Sequence, residues 1–233
     1  MSLQFIIGSS GIGKTHYACE QIIRESMENP QHLYYIIVPE QFTMQTQKNV
    51  VEMHPGKGIL NIDVLSFQRL PYRIFEETGG AREVLLDDTG KSMVLQKLVQ
   101  QHRKNLPYLG SQMNKPGYLD EVKSLISEFM QYDIREEELQ DMLGKTGEDS
   151  LLHMKMQDVG VLYQAFLQYL EGHYMTGEGV MDALKKAIPF SDKLKKSVLL
   201  LDGFTGFTPV QMNVIRELLN VCDKVLVTVT MDA

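Results

Sequence analysis

The chain lacks several features that mark specialised classes of protein. It has no tryptophan and only two cysteines, Cys19 and Cys222, which lie near opposite ends of the sequence. Two such distant cysteines form neither a disulfide framework nor a metal cluster, so we expect a reducing compartment, the cytoplasm. No run approaches the ~18 consecutive apolar residues of a membrane span. The short apolar stretch 3–7 has no basic region before it and no cleavage site after it, so we expect neither a membrane anchor nor a signal peptide.

The chain also has fewer basic than acidic residues. The chain carries 23 lysines and arginines against 30 aspartates and glutamates, which gives a net charge of −7. Proteins that bind nucleic acid mainly through its phosphates usually have a basic excess, so we expect this chain alone to bind DNA weakly. The six histidines show neither H-x-x-x-H nor H-E-x-x-H spacing, so the sequence predicts no histidine metal site.

The composition is that of an ordinary globular protein, and the chain has three segments of different texture. Its 233 residues are 43% hydrophobic, which is enough for a substantial core. In residues 1–80, short apolar strands alternate with helical patterns, and the same alternation returns in residues 197–233. Residues 81–196 read as nearly all helix, with helices predicted at 88–104, 119–131, 135–143, 150–173 and 179–187. Because alternating strands and helices imply parallel βαβ units, we predict a discontinuous α/β domain interrupted by a large all-helical insertion.

A glycine-rich loop lies between the first predicted strand and the first predicted helix. The pattern G-x-x-x-x-G-K-[ST] is matched in full by eight consecutive residues, Gly8, Ser9, Ser10, Gly11, Ile12, Gly13, Lys14 and Thr15. Such glycines let backbone N–H groups face phosphate oxygens, and the helix N-terminus adds positive potential. Lys14 is expected to reach the β- and γ-phosphates of ATP, and the Thr15 hydroxyl to bind Mg²⁺. The loop therefore predicts a sheet of the P-loop NTPase type; a plain tight turn is the alternative.

An acidic residue follows a second buried strand. Residues 198–201 are Val-Leu-Leu-Leu, and Asp202 comes next, at the strand end where open α/β sheets bind ligands. A carboxylate in this position holds the metal ion in Walker-type ATPases, although an aspartate there can also cap a turn. Many helicase-type ATPases have a glutamate next, as the base that orients water. Here that position holds Gly203, so we expect nucleotide to bind but hydrolysis to be slow or absent.

Residues 202–211 resemble a helicase signature. They read Asp-Gly-Phe-Thr-Gly-Phe-Thr-Pro-Val-Gln, and superfamily 1 helicases have Asp-Glu-Phe-Gln-Asp-Thr-Asn-x-x-Gln. Asp202 and Gln211 match this signature. The Glu, Gln and second Asp of the signature are replaced by Gly203, Thr205 and Gly206.

Two further segments narrow the resemblance. Residues 38–43 (VPEQFT) are similar to the VP-[DE]-Q segment of AddB proteins, and residues 63–70 (DVLSFQRL) to their SF-x-RL segment. With the glycine-rich loop at the very N-terminus, the chain resembles the AddB family, the B subunits of bacterial ATP-dependent helicase–nucleases. The resemblance covers residues 3–80 and 197–233 well, and the helical insertion only by position.

The resemblance implies a superfamily 1 helicase-like domain with a nucleotide and metal site. Lys14 and Asp202 would carry the catalytic function, and Thr15 would join Asp202 in binding Mg²⁺. Gln211 would tune contacts near the nucleotide. A DNA path is implied at Gln41, Ser66, Phe67 and Arg69. From the residues alone, other roles remain open for three of these side chains: a surface helix position for Gln211, a core position for Phe67 and a surface charge for Arg69.

The resemblance also implies a partner. An AddA-type motor and nuclease subunit would form a heterodimer with this chain, and DNA would be reached through the full complex. The iron–sulfur cluster of the family is not expected here, because Cys19 and Cys222 match none of its ligands.

Three hypotheses for function follow. The first is an N-terminal, ATP-binding domain of the B chain of a helicase–nuclease that acts on double-strand DNA ends in recombinational repair. The second is a self-contained small-molecule kinase of the P-loop type, against which the wide spacing of Arg82, Arg103 and Arg135 counts. The third is a scaffold with a vestigial loop, which Gly203 favours and the intact Lys14 opposes.

Overall fold

The structure, a computed structural model, describes residues 2–80, 83–112, 115, 117–147 and 150–231. Within these residues the strands are β1 (Ser2–Gly8), β2 (Leu33–Ile37), β3 (Ile62–Leu65), β4 (Val84–Leu85), β5 (Tyr174–Met175), β6 (Ser197–Leu201) and β7 (Lys224–Thr230). The α-helices are α1 (Lys14–Glu28), α2 (Thr43–Met53), α3 (Leu70–Thr78), α4 (Asp88–His102), α5 (Leu109–Gln112), α6 (Tyr118–Gln131), α7 (Glu136–Gly144), α8 (Leu151–Leu170), α9 (Gly177–Ala187), α10 (Asp192–Lys195) and α11 (Pro209–Val221). The chain divides into two compact units, one of residues 1–81 with 181–233 and one of residues 82–180.

The first unit is built on a parallel sheet of five strands in the order β1-β7-β6-β2-β3. This confirms the predicted α/β class with a parallel sheet. In the ladder between β1 and β7, Gly8 lies beside Thr230, and in the next ladder Leu201 lies beside Val227. Because parallel strands end at one edge of a sheet, the loop after β1 and Asp202 after β6 meet there, on either side of β7.

Helices cover both faces of this sheet. Tyr34 and Ile36 of β2 pack in one apolar cluster with α1 and α2, and Tyr35 and Ile37 pack in a second cluster on the opposite face. This alternation follows the two-residue period of a strand. The second cluster takes its helical residues from α3, α9, α10 and α11, including Leu70, Ile74, Leu184, Leu194, Val214 and Leu218. The sheet is therefore a buried layer that holds the strand ends in fixed positions.

β1 is the edge strand on the side of the glycine-rich loop. It pairs with β7 along its whole length, and the described residues give it no other neighbour. Leu3, Phe5 and Ile7 are exposed by 42%, 57% and 60%, although all three are large and apolar. Alternate residues of a strand point to the same face, so these three side chains form one exposed row.

The second unit is helical, with a core of its own. The five helices predicted in and beside it are present, with ends that differ by at most three residues from the predicted ones. α4, α6 and α8 contribute most of its apolar cluster, including Leu95, Leu98, Val122, Ile126, Leu162 and Phe166. β4 and β5 add a small parallel pair of two residues each.

Two buried polar arrangements connect the elements of the helical unit. Lys91 of α4 donates hydrogen bonds to both carboxylate oxygens of Glu178 at 3.0 Å and to the Ser127 hydroxyl at 3.1 Å. The Asp158 carboxylate accepts the backbone N–H groups of Tyr108 and Leu109 at 2.9 and 2.7 Å, both on Oδ2. Asp158 Oδ1 is buried and has no hydrogen-bond partner among the described residues.

The structure differs from the sequence interpretation in several places. The insertion that was predicted to be all-helical contains the short parallel pair of β4 and β5. Residues 181–196 belong to the α/β unit, whereas the sequence assigned them to the helical insertion of 81–196. The reason is that Met181, Leu184 and Ile188 pack in the cluster beneath α11. α2 was not predicted, because its buried face consists of Thr43, Thr46 and Val50 and is therefore only partly apolar.

No helix of the described residues has the length and apolar character needed to cross a membrane.

Candidate functional site

The glycine-rich loop connects β1 to α1 through two glycines in the left-handed region. Gly11 has φ 77° and Gly13 has φ 95°, conformations that L-amino acids with a side chain rarely adopt. At Gly8, a Cβ would lie 2.9 Å from Ile12 Cγ2, so the loop closes tightly only over a glycine. α1 begins at Lys14, and the first N–H groups of a helix have no partner within it. The loop thus presents unpaired backbone donors at a helix N-terminus, where anions bind.

Lys14 reaches back across this loop. Its Nζ donates a hydrogen bond of 2.7 Å to the Ser9 carbonyl. An ammonium group held above the loop by one neutral acceptor keeps its charge available for a phosphate oxygen.

Thr15 and Asp202 meet at the edge of the sheet, as the sequence predicts. The Thr15 hydroxyl donates to Asp202 Oδ1 at 3.0 Å, across a separation of 187 residues. Asp202 is 5% exposed, and its backbone N–H donates to the Ile37 carbonyl of β2 at 3.0 Å. Asp202 is therefore held in place by hydrogen bonds to its backbone as well as to its side chain.

A second hydroxyl contacts the same carboxylate oxygen. Thr228 of β7 donates to Asp202 Oδ1 at 2.6 Å, and its oxygen accepts the Gly203 N–H at 3.4 Å. Gly203 has φ 76°, which explains why glycine and not the glutamate of the helicase signature occupies this position.

A cavity of about 660 Å³ opens above these residues. Six of the sequence-predicted residues line it: Ser10, Gly11, Gly13, Lys14, Thr15 and Asp202. The remaining walls come from α1, from α2 and from the ends of β6 and β7, and include His16, Cys19, Asn49, Glu52, Thr228 and Thr230. The predicted residues Gly8, Ser9 and Ile12 shape the loop without lining the cavity.

Cys19 lies at the bottom of this cavity and is 2% exposed. Burial, and after it the charge of Asp202, raises the pKa of its thiol to about 12. A thiol with such a pKa stays protonated at neutral pH, so Cys19 fills space beside the carboxylate and is not a nucleophile.

Gln211 has a structural role in α11. Its side-chain oxygen accepts the Thr208 N–H at 3.0 Å, and its own N–H donates to the Thr208 hydroxyl at 3.4 Å. This reciprocal pair is a capping box, which satisfies two donors at the start of a helix. Gln211 does not line the cavity, so its expected influence on the nucleotide stays a prediction.

Of the four residues expected on a DNA path, two are exposed and two are buried. Gln41 and Arg69 are exposed, whereas Ser66 is 2% and Phe67 5% exposed. The Phe67 ring packs edge-on against Phe204 at 5.5 Å between centroids and belongs to the core. A ring in this position is not free to stack on a base, so the core interpretation of Phe67 fits the structure.

Glu40 joins two of the three polar members of that group, Ser66 and Arg69. Its carboxylate accepts a hydrogen bond from the Ser66 hydroxyl and one from Arg69 Nε at 3.2 Å. The sequence interpretation did not single out Glu40. Its position in the sequence could have identified it. Glu40 is an acidic residue that follows a buried strand, after Pro39, and Asp202 was identified because it follows a buried strand.

The sequence resembles a known protein family along nearly its whole length. The sequence matches the family described as "ADDB, N-terminal" over residues 5–233. The chain belongs to the AddB N-terminal family. This confirms the family resemblance found from the loop, the 202–211 segment and the two shorter segments.

Relatives of this AddB N-terminal chain are described as the B subunit of an ATP-dependent helicase/deoxyribonuclease. The chain is similar to the one from Lachnoclostridium phytofermentans, with 46% identity over 232 residues. It is also similar to those from Alkaliphilus metalliredigens, with 33% identity over 232 residues, and Clostridium kluyveri, with 33% over 233 residues. Each alignment covers 100% of this chain and 20% of the relative, so the chain spans about a fifth of the length of these curated relatives.

Thr228 is a site residue that the sequence analysis did not identify, and it contacts Asp202 directly. It lies in a strand whose residues 225–229 read as buried and apolar, and its polarity was the only local sign of a role. A second threonine, Thr230, follows on the same face of the strand and also lines the cavity.

Proposed function

We propose that the α/β unit binds ATP together with Mg²⁺ at the glycine-rich loop and Asp202, in the manner of a P-loop NTPase. The observation that carries this proposal is the hydrogen bond of 3.0 Å between the Thr15 hydroxyl and Asp202 Oδ1. It joins the last residue of the phosphate-loop pattern to Asp202, the one carboxylate of the helicase signature that this chain retains. Both residues line a cavity large enough for a nucleotide.

Each side chain has a distinct part in this proposal. The backbone N–H groups at the start of α1 bind the phosphates, and Lys14 exchanges the Ser9 carbonyl for a phosphate oxygen. Thr15 and Asp202 hold Mg²⁺, directly or through water. Among the described residues no group of three His, Cys, Asp or Glu side chains is placed to hold a metal ion. This fits Mg²⁺, which one or two protein groups bind together with the phosphates and water.

We propose that this unit hydrolyses ATP slowly or not at all. Gly203 provides no carboxylate to orient an attacking water. We therefore assign to this unit nucleotide binding with little turnover, and no helicase activity of its own.

The remaining part of the proposed function, the action on DNA, belongs to the full complex of this B subunit with a partner. The relatives are B subunits by description, and such a description implies a partner chain. We propose an AddA-type motor subunit as that partner, in a cytoplasmic heterodimer that acts on double-strand DNA ends during recombinational repair. The net charge of −7 favours main DNA contacts elsewhere in the complex. Family membership leaves the kinase hypothesis without a supporting observation.

Calorimetric titration of Mg·ATP into the chain tests the proposal. The wild type is expected to give saturable heat, and Lys14→Ala to abolish it. Lys195→Ala is the matched control, because it removes the same side chain from an exposed surface ion pair with Asp192 and is expected to bind normally. Absence of binding in the wild type, or equal binding in the Lys14 variant, would contradict the proposal. Scaffolding would then be the better interpretation.

A further inference from the structure

We propose that Thr228 is a positioning residue that aligns Asp202 for Mg²⁺, an inference that rests on the proposed binding of Mg·ATP. Thr228 lies on β7, the strand between β1, which carries the loop, and β6, which carries Asp202. It has no place in the loop pattern or in the helicase signature. Its influence on the metal therefore passes through the carboxylate.

The geometry around the Thr228 hydroxyl supports this role. Its oxygen lies 2.6 Å from Asp202 Oδ1, closer than the Thr15 hydroxyl, and 3.4 Å from the Gly203 nitrogen. A hydroxyl can donate one hydrogen bond and accept another at the same time. This single group therefore connects the carboxylate of Asp202 with the backbone of the next residue.

As a consequence, one oxygen of the Asp202 carboxylate accepts two hydrogen bonds. Both hydroxyls donate to Oδ1, and no hydrogen bond to Oδ2 is formed within the described part of the chain. Two donors on one oxygen fix the rotation of the carboxylate and direct the other oxygen away from them. Groups that orient a metal ligand in this way commonly contribute 10–100-fold, in order of magnitude, to metal affinity.

The surroundings hold Thr228 itself in place. It is 8% exposed, and its β-branched side chain has few rotamers to choose from within a strand. The backbone of Thr228 lies beside Ile6 in the ladder with β1, and the ladder with β6 reaches the preceding residue, Val227. A valine in this position keeps the shape of the side chain and loses the hydroxyl, whereas a serine keeps the hydroxyl.

The test compares ATP affinity with and without Mg²⁺ in the wild type, Thr228→Val and Thr228→Ser. We expect the gain in affinity from Mg²⁺ to fall about tenfold or more in the valine variant and to be largely retained in the serine variant. Affinity for ATP in the presence of a chelator should be the same in all three, because Thr228 does not take part in the phosphate loop. Thr89→Val, which changes an exposed threonine of the helical unit outside the cavity, is the matched control and should behave as the wild type.

The outcomes separate this inference from the proposed function. An unchanged Mg²⁺ response in Thr228→Val, or equal losses in the valine and serine variants, would overturn the positioning role while leaving nucleotide binding intact. If the wild type binds no ATP under either condition and equals Lys14→Ala, the proposed function fails and takes the role of Thr228 with it. Thermal unfolding of each variant identifies a loss that arises from misfolding, and the serine variant then decides the outcome.

Discussion

Gly203 lies against Pro39 with its backbone in the left-handed region, where a Cβ would be 3.7 Å from Pro39 Cδ. That distance is an ordinary van der Waals contact, so there is room for a side chain. The obstacle is the φ of 76°, which costs an L-amino acid about 1–2 kcal/mol. The backbone conformation at position 203 therefore disfavours the glutamate that the helicase signature has there.

Gly203→Glu is accordingly expected to lower the free energy of unfolding by about 1–2 kcal/mol and to restore no ATP hydrolysis. Gly203→Asn should lose less, because asparagine tolerates the left-handed region better than other residues. Urea unfolding and phosphate release measure the two effects. A glutamate variant as stable as the wild type that also hydrolyses ATP would show that the backbone rearranges at no cost.

The two thiols of the α/β unit should be inert. Burial raises the pKa of Cys19 to about 12 and that of Cys222 to about 11. At pH 8 a thiol of pKa 12 is thiolate in roughly one molecule in 10⁴, and burial also denies access to the reagent. Iodoacetamide, followed by mass spectrometry, should label both cysteines only after unfolding in urea. Rapid labelling of Cys19 in native buffer would show that the floor of the cavity opens to solvent.

In the helical unit, Lys91→Met should destabilise strongly. The side chains of Lys91 and Glu178 are 8% and 11% exposed, so removing the ammonium leaves a buried carboxylate without its partner. The expected loss is about 3–5 kcal/mol, and the double variant Lys91→Met, Glu178→Leu should recover most of it. Urea unfolding of the single and double variants measures both. A single variant with wild-type stability would mean that Glu178 finds water or another donor.

This ion pair also predicts a weakening in acid. Burial raises the pKa of Glu178. The hydrogen bond and the charge of Lys91, together with a backbone hydrogen bond and one from Thr176, outweigh burial and hold the pKa below its ordinary value. A lowered pKa stabilises the fold at pH values above the ordinary pKa of glutamate, and this contribution is lost as pH falls through the lowered one. The stability advantage of the wild type over the double variant should shrink on acidification below about pH 4.5.

Asp158 should show the opposite pH dependence. Burial raises its pKa, against the two backbone hydrogen bonds from Leu109 and Tyr108 that lower it. A raised pKa means that the folded state holds the proton more tightly, so stability is lost as pH rises through that pKa. Asp158→Asn keeps an oxygen for both N–H groups and does not titrate. The stability of the wild type relative to this variant should therefore decline as the pH rises above the ordinary aspartate pKa of 3.8, and a flat difference would contradict the prediction.

The meeting of Thr15 and Asp202 could be predicted because each part has a local signal. The loop has a dense eight-residue pattern, Asp202 follows an apolar strand, and parallel strands end at one edge. The position of Thr228 could not be predicted in the same way. It depends on β7 lying between β1 and β6, and strand order results from long-range pairing that no short sequence pattern encodes.

The boundary between the helical insertion and the α/β unit could not be predicted from the sequence either. The apolar residues Met181, Leu184 and Ile188 predict a buried helix face, and α9 has one. Their spacing does not reveal which of two cores they enter, and the structure places them against the sheet. α2 shows the complementary limit, because threonines at Thr43 and Thr46 are buried where a periodicity search looks for apolar side chains.

The position of β1 at the rim of the sheet makes its amide exchange a reporter of the site. This strand ends at Gly8 and is held by one ladder, to β7, whereas β6 is held by two. Strands with fewer neighbours open at lower free energy and exchange their amide protons sooner. A ligand that binds only the closed loop draws this local equilibrium toward the ordered strand by mass action. Slower deuterium uptake along Ser2–Gly8, with little change in β6, would therefore register occupancy even without turnover.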